Sequence, residues 1–228
     1  MQIKLQGLDT LSNIASLSAR IFFREPDALL FKDIGSRLAS VREWVENRKQ
    51  PELLKGIQLL DDFLKQFKSS VSDIGFLEHL AVEYATLFYG IGQIPVDVYE
   101  SLWLGEEHTL YEKPFFEVVE IYRQWGYKKP ETSTEPEDHI ANELDFLAYQ
   151  LKAAISTQNQ SSHLDQDRID SVQEFLSLHL GRWAPDFCDR MLEATDNTYY
   201  LAAAYLTVGL IKALASTLEL LEDGISST

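Results

Sequence analysis

The stretch EPEDHIANELDFLAYQL, residues 135–151, places several ionisable side chains at the start of one apolar helix. Leu144, Leu147 and Leu151 recur at spacings of three and four residues, and this periodicity predicts a helix with one buried face. The acidic residues and the histidine lie at or before the first turn of that helix. This pattern is compatible with three kinds of feature. They are a helix cap, a metal or acid/base site, and a polar edge on a groove for a cationic ligand.

Part of the pattern is explained by helix capping. Thr134 followed three residues later by Glu137 has the form of a capping box, and acidic residues suit the positive end of the helix dipole. We therefore expect the helix to open near Pro136. Capping leaves His139 and Glu143 without a role, although they lie four residues apart on one helical face. They could pair with each other, ligate a metal or point into a groove.

The rest of the chain has the same helical periodicity. Apolar spacings of three and four residues recur in runs that proline or glycine residues bound, for example before Pro26, before Pro51 and at Gly90. Further helices are predicted from about Asp165 to Leu180, after Pro185, and from Thr198 to about Glu222. Period-two alternation is scarce, so a sheet has little support. The sequence predicts an all-α fold of about nine or ten helices.

Two segments interrupt the helical pattern. GIGQIPVDVYESLWLG, residues 90–105, contains two close glycines and a proline and predicts an ordered loop. YKKPETSTEP, residues 127–136, is rich in polar residues and proline and predicts a linker. We therefore expect one domain of two packed lobes, residues 1–126 and 137–228.

Composition limits the classes of partner and compartment. The 36 acidic and 20 basic residues make a formal charge of −16, which opposes binding to nucleic acid. One cysteine and an amino terminus without a secretory pattern favour a cytoplasmic protein. The apolar run Tyr199–Ile211 is shorter than the roughly 20 residues that span a bilayer, so we predict a buried core helix and no stable membrane insertion.

Enzymatic motifs are absent from the sequence. None of the five histidines has a glutamate three residues before it, and no His-Glu-x-x-His or Gly-x-Ser-x-Gly occurs. Gly90 and Gly92 lack the third glycine of a phosphate loop. We predict no catalytic residue, metal or cofactor. The alternative is a metal- or nucleotide-dependent helical enzyme that uses Asp138, His139 and Glu143.

Several blocks together resemble the TorD/DmsD family of redox-enzyme maturation chaperones. They are EYATLFYG at 83–90, VYESLWL at 98–104, EPEDHIANELDFLAYQL at 135–151, FLSLHLGRWAPDFCDRM at 175–191 and TYYLAAAYLTVGLI at 198–211. The family often has Gly-Pro and a double proline before Tyr-Glu-Ser, where this chain has Gly-Gln-Ile-Pro-Val-Asp-Val.

The resemblance implies an all-α chaperone that binds the twin-arginine signal peptide and apoprotein of a molybdopterin oxidoreductase until its cofactor is inserted. Such a peptide is basic and then apolar, so its receptor needs an apolar trough with acidic edges. We predict the binding surface where the loop from Pro95 to Trp103 meets the start of the helix at 136–151. The predicted peptide-binding residues are Tyr84, Phe88, Tyr99 and Trp103 for the trough, Glu100, Asp138 and Glu143 for its acidic edge, and Pro95, Ser101 and His139 beside them. A nitrate-reductase-type assembly chaperone is a further alternative. Some relatives form dimers by exchanging the segment that follows the linker. The resemblance is therefore compatible with either a monomer or a domain-swapped dimer.

Overall fold

The structure is a computed structural model that describes residues 2–69, 74–92, 95–161 and 164–225, and ten α-helices form this part of the chain. They are α1 (Gln2–Phe22), α2 (Ala28–Arg48), α3 (Pro51–Ser69), α4 (Ile74–Tyr89), α5 (Glu100–Leu104), α6 (Lys113–Gln124), α7 (Ile140–Ser161), α8 (Gln166–Leu178), α9 (Leu180–Ala194) and α10 (Thr198–Ile225). Within these ranges the β-pairing is a single antiparallel bridge, which joins Tyr99 to His139. The predicted all-α fold is confirmed.

Local sequence sets many of the helix ends. The Asp27 carboxylate accepts a hydrogen bond from the Leu30 N–H at 2.7 Å and caps α2, and Lys49 closes that helix with a φ of 53°. Gly90 has a φ of 71°, the left-handed conformation predicted for the residue that ends α4.

Helix α10 runs through the centre of the core, against α1, α3 and α9, while α1 also packs along α7. The crossing of α3 and α10 depends on two glycines. A Cβ atom on Gly209 would lie 2.8 Å from the Leu53 backbone nitrogen, and one on Gly56 would lie 3.0 Å from that of Leu206. The two backbones therefore approach more closely than any larger residue at these positions allows.

The apolar run of α10 is buried, as predicted. Its segment Thr198–Leu220 has the length and hydropathy of a membrane span, and 61% of its most apolar window is buried inside the protein. Tyr199, Tyr200 and Leu206 are fully buried in the hydrophobic core. The segment serves as a core helix in this fold.

Three predicted helix boundaries are wrong. Residues 100–104 form the short helix α5 instead of a loop, and Gln93 and Ile94 of the same predicted loop lie outside the described residues. Helix α7 begins at Ile140 instead of near Pro136. Helix α9 begins at Leu180 and includes Pro185, because burying Leu180 and Trp183 offsets the roughly 3 kcal/mol that proline costs inside a helix.

The predicted linker is attached to the helices beside it. The Tyr127 hydroxyl donates to Asp145 at 2.8 Å, the Lys129 ammonium donates to the Glu135 carbonyl at 2.5 Å, and the Ser133 hydroxyl donates to Asn142 at 3.3 Å. Helix α1 also packs against α7 and α10, which follow the linker. The division into two lobes stays a prediction.

Candidate functional site

The two segments that carry most of the predicted binding residues lie side by side. The Ile140 N–H donates to the Val98 carbonyl at 2.8 Å, and the Glu100 N–H donates to the Asp138 carbonyl at 2.9 Å. These two hydrogen bonds form the bridge between Tyr99 and His139. They bring the start of α5 against the start of α7, although the two helices are about 40 residues apart in sequence.

Asp138 is fully buried and does not sit at an exposed helix start. Its carboxylate accepts hydrogen bonds from the Ser101 N–H at 3.0 Å and from the Ser101 hydroxyl. It therefore caps α5 from across the site, where the first N–H groups of that helix have no partner of their own. Burial raises the pKa of Asp138, and the hydrogen bonds from Ser101 oppose that rise.

The predicted capping box does not form at α7, because the helix begins three residues after Glu137. Glu137 instead lies 3.1 Å from the Lys129 ammonium as an ion pair. His139 takes the capping position: its Nδ1 accepts the Ala141 N–H at 3.1 Å. Thr134 is exposed.

His139 is buried and uncharged. Its ring meets Tyr99 edge to face, with the ring centroids 5.3 Å apart. Burial, and then the positive charge of Lys129, lower the pKa of His139 to about 3. Because Nδ1 is the hydrogen-bond acceptor, the neutral ring carries its proton on Nε2.

Glu143 belongs to a buried polar cluster with Glu100. The Trp183 Nε1–H donates to Glu143 at 3.2 Å, and His179 Nδ1 lies 2.9 Å from the Glu100 carboxylate. Burial and then the adjacent negative charge of Glu100 raise the pKa of Glu143 well above its usual range. Burial likewise raises the pKa of Glu100, against the opposing effect of His179.

The prediction that Glu100, Asp138 and Glu143 form an exposed acidic edge is therefore wrong, because all three carboxyl groups are buried. Three carboxyl groups leave water together only if hydrogen-bond donors or protons compensate their charge. Here Ser101 donates to Asp138 and Trp183 donates to Glu143, while His179 Nδ1 lies within hydrogen-bond distance of Glu100. The role of the three acidic residues in binding a peptide stays a prediction.

The predicted aromatic trough is also mostly covered. Tyr84 is buried and its hydroxyl donates to the Phe22 carbonyl at 3.1 Å. Phe88 is buried among the rings of Phe22, Phe187 and Tyr200.

Two aromatic residues and a proline of the prediction retain some exposure. Trp103 is half-buried, with its ring 6.3 Å from that of Trp183, and its Nε1–H donates to the Asp97 carbonyl at 2.8 Å. Tyr99 and Pro95 are half-buried as well.

A partly exposed aromatic and acidic surface lies next to these residues. We call it the tyrosine face and define it as Tyr89 and Glu25, which are exposed, and Tyr99 and Glu135, which are half-buried. The Tyr89 side chain is 61% exposed and its ring lies 5.8 Å from that of Tyr84. The Tyr99 hydroxyl donates to Glu135 at 2.5 Å. Burial and then the negative charge of Glu135 raise the pKa of Tyr89, with a further contribution from Glu25.

Tyr89, Glu25, Glu135, His179 and Trp183 are not among the site residues predicted from the sequence. Tyr89 is the last residue of α4 and follows Phe88 directly, so its exposure depends on the helix ending there. Glu100 and His179 are 79 positions apart, and Glu143 and Trp183 are 40 apart. No local spacing indicates such pairs.

The polar groups of the site bond mainly to other groups of the protein. Within the described ranges, no group of three or more His, Cys, Asp or Glu side chains is arranged to hold a metal ion. Asp138 and His139 instead bond to backbone and hydroxyl groups. Cys188 is buried, and burial raises the pKa of its thiol, so the reactive thiolate is disfavoured.

The fold and the meeting of α5 with α7 define an all-α protein. Residues 46–189 match the family model described as the nitrate reductase delta subunit, and the chain belongs to that family. The resemblance to the TorD/DmsD proteins is confirmed by curated relatives. The chaperone protein TorD of Vibrio parahaemolyticus is 27% identical over 133 residues, which are 58% of this chain and 61% of that protein.

A longer match is the probable Tat proofreading chaperone DmsD of Haemophilus influenzae, 22% identical over 202 residues and 88% of each chain. Among solved structures, a redox enzyme maturation protein from Archaeoglobus fulgidus has a TM-score of 0.48 at 22% identity, covering 85% of this chain and 90% of that one. The chain spans about three fifths of the length of the Vibrio TorD relatives that it matches.

Proposed function

We propose that this protein is a cytoplasmic chaperone that binds the twin-arginine signal peptide and apoprotein of a molybdopterin oxidoreductase and assists cofactor insertion before export. The protein acts by binding and catalyses no reaction. Membership of the family supports this proposal, as does the proofreading role in the name of the DmsD relative.

The single observation that carries the proposal is the tyrosine face. A twin-arginine peptide presents two guanidinium groups followed by an apolar run. Guanidinium groups pair with carboxylates and stack on aromatic rings. The exposed Glu25 and Tyr89 and the half-buried Glu135 offer both kinds of partner. Ile91, which is also exposed, adds an apolar contact close to Tyr89 in sequence.

The buried residues support this face from below. Tyr99 is held between the bridge to His139 and the hydrogen bond to Glu135. Glu135 precedes Asp138 by three residues, and Asp138 is held in turn by Ser101. The predicted binding residues Ser101, Asp138 and His139 thus position Tyr99 and Glu135, and the peptide contacts the exposed members.

Calorimetric titration with a synthetic peptide tests the proposal. The peptide has about 25 residues, with two consecutive arginines and a leucine-rich run, and the control peptide has two lysines instead. Glu135→Gln and Tyr89→Ser should each weaken binding about tenfold, which is about 1.4 kcal/mol. Leu29→Ser is the matched control, because Leu29 is 76% exposed on α2 and outside the tyrosine face. If Glu135→Gln and Tyr89→Ser bind the peptide as tightly as Leu29→Ser does, the assignment of this face is wrong.

The family model favours a second candidate, an assembly chaperone for a nitrate-reductase-type subunit that lacks a twin-arginine signal. The two candidates differ in what they bind. A twin-arginine chaperone loses most of its affinity for a client when the signal peptide is removed. An assembly chaperone of the second kind binds the client's mature subunit alone, and does not bind the isolated peptide.

A further inference from the structure

A second apolar surface lies where α5 connects to α6, outside the tyrosine face. Leu110, Tyr111 and Phe116 are 40%, 56% and 60% exposed. Tyr111 meets Phe115 edge to face at 5.0 Å between ring centroids, and Phe115 meets Phe116 in the same manner at 5.2 Å. We call Leu110, Tyr111, Phe115 and Phe116 the α6 aromatic patch. Contiguous exposed aromatic side chains of this kind are typical of protein interaction sites.

The loop that carries this patch contains two residues in an unfavourable backbone conformation. His108 and Tyr111 have φ values of 54° and 64°, in the left-handed region that residues with a Cβ atom rarely adopt. The Glu112 carboxylate fixes the loop by accepting hydrogen bonds from the N–H groups of Glu107 at 3.1 Å and Thr109 at 2.7 Å. His108 Nδ1 lies 3.0 Å from the Leu102 carbonyl oxygen. A pinned loop needs little ordering when a partner binds.

An acidic cleft of about 410 Å³ adjoins the patch. Its lining includes four glutamates, Lys113, Arg182 and the half-exposed Leu178. Residues 106–117 contain four glutamates and one lysine, a charge of −3. The patch and cleft together combine apolar side chains with an excess of negative charge.

We propose that the α6 aromatic patch and this cleft bind a second protein through an amphipathic segment with aliphatic or aromatic side chains on one side and lysine or arginine on the other. The apolar side chains pack on Tyr111 and Phe116, and the basic ones face Glu106 and also Glu117, which pairs with Lys113 at 3.3 Å. Charge opposes a second copy as the partner, because apposing two such surfaces brings like charges together in a protein whose net charge is −16. This inference does not depend on the tyrosine face.

Fluorescence anisotropy with a labelled helical peptide tests this surface. The probe has about 18 residues, with leucine and phenylalanine on one face and lysine on the other, and a matched peptide carries glutamate in place of lysine. The double variant Tyr111→Asn with Phe116→Ser removes both rings, and asparagine tolerates the left-handed backbone. The Leu29→Ser variant is again the control for a lost exposed apolar side chain.

The lysine peptide should bind the double variant at least about tenfold more weakly than the parent, with the Leu29→Ser variant unchanged. The glutamate peptide should bind the parent at least about tenfold more weakly than the lysine peptide does. Unchanged affinity in the double variant overturns the proposal, as does an equal loss in the control. A parent dimer that the double variant loses in analytical ultracentrifugation also overturns it, since the occupant is then a second copy. Circular dichroism checks that every variant is folded.

Discussion

The carboxylate of Asp138 holds Ser101 by two hydrogen bonds, one from the backbone N–H at 3.0 Å and one from the hydroxyl, across 37 positions of sequence. Both residues are fully buried. An aspartate in this position is an N-terminal cap supplied by a distant segment, and the helix that it caps leads from Tyr99. The pair explains how a residue with no exposed surface can affect a binding face.

Removing the Asp138 acceptor should destabilise the fold more than removing its charge. Asp138→Ala leaves the Ser101 N–H buried without a partner, at a cost of about 1–3 kcal/mol. Asp138→Asn keeps a carbonyl oxygen for that N–H and should cost less. Urea denaturation measures both free energies of unfolding.

Peptide affinity of the same two variants separates positioning from contact. If Asp138 acts through Ser101, Asp138→Asn should bind the twin-arginine peptide nearly as well as the parent, and Asp138→Ala should bind more weakly. If instead the charge of Asp138 contacts the peptide directly, both variants should bind the peptide more weakly than the parent. Ser101→Ala, which keeps the N–H and removes the hydroxyl, is the matched control.

Glu143→Gln should stabilise the protein at alkaline pH. Burial and the charge of Glu100 raise the pKa of Glu143 in the folded state, so the folded protein binds the proton more tightly than the unfolded chain does. The stabilisation by this group is complete below its unfolded pKa of about 4.3, and is lost as pH rises toward the folded pKa. Glutamine retains an acceptor for Trp183 and does not ionise. The free energy of unfolding at pH 8 should rise by about 1–3 kcal/mol relative to the parent, with a smaller difference at pH 5. A variant less stable than the parent at pH 8 rules this out.

His139→Asn should remove an acid sensitivity of the fold. The folded pKa of about 3 lies below the unfolded value of about 6.5, so the unfolded state binds more protons between these values. The contribution of the neutral His139 to the free energy of unfolding is therefore complete above pH 6.5. It falls as pH decreases, by up to about 1.4 kcal/mol per pH unit. Asparagine can cap α7 by accepting the same Ala141 N–H.

Between pH 7 and pH 5, the parent should lose about 2 kcal/mol more than His139→Asn in urea denaturation. Parallel pH profiles for the two proteins would show that His139 is protonated in the folded state at pH 5.

Cleavage in the linker tests the division at residues 127–136. Lys128 is exposed, whereas Pro130 protects the bond after Lys129 from trypsin. The fragments before and after the cut should elute together in sizing chromatography, because α1 packs against α7 and α10 and α3 packs against α10. Mass spectrometry identifies the cut site. If the fragments separate, or if trypsin cuts elsewhere first and leaves this segment intact, the predicted boundary is wrong.

Helix positions and family membership could be predicted from the sequence because both depend on local patterns. The apolar spacing of α1 to α4 and the glycine after Tyr89 act within a few residues, where backbone geometry alone relates sequence to structure. Blocks such as EYATLFYG likewise keep their order and spacing along the chain. The approach of the 98–104 segment to the start of α7 was expected from those blocks, and the bridge from Tyr99 to His139 agrees with it.

The exposure of the site was decided only by the tertiary structure. A run of acidic residues at a predicted helix start is normally solvated, and in sequence nothing separates Asp138 from Glu137. In the fold, Asp138 turns inward because Ser101 offers it two donors, while Glu143 and Glu100 are covered by Trp183 and His179. Such partners lie 37 to 79 positions apart. Burial of a charge depends on which donors the packed helices bring to it, and that is a property of long-range packing that local periodicity does not encode.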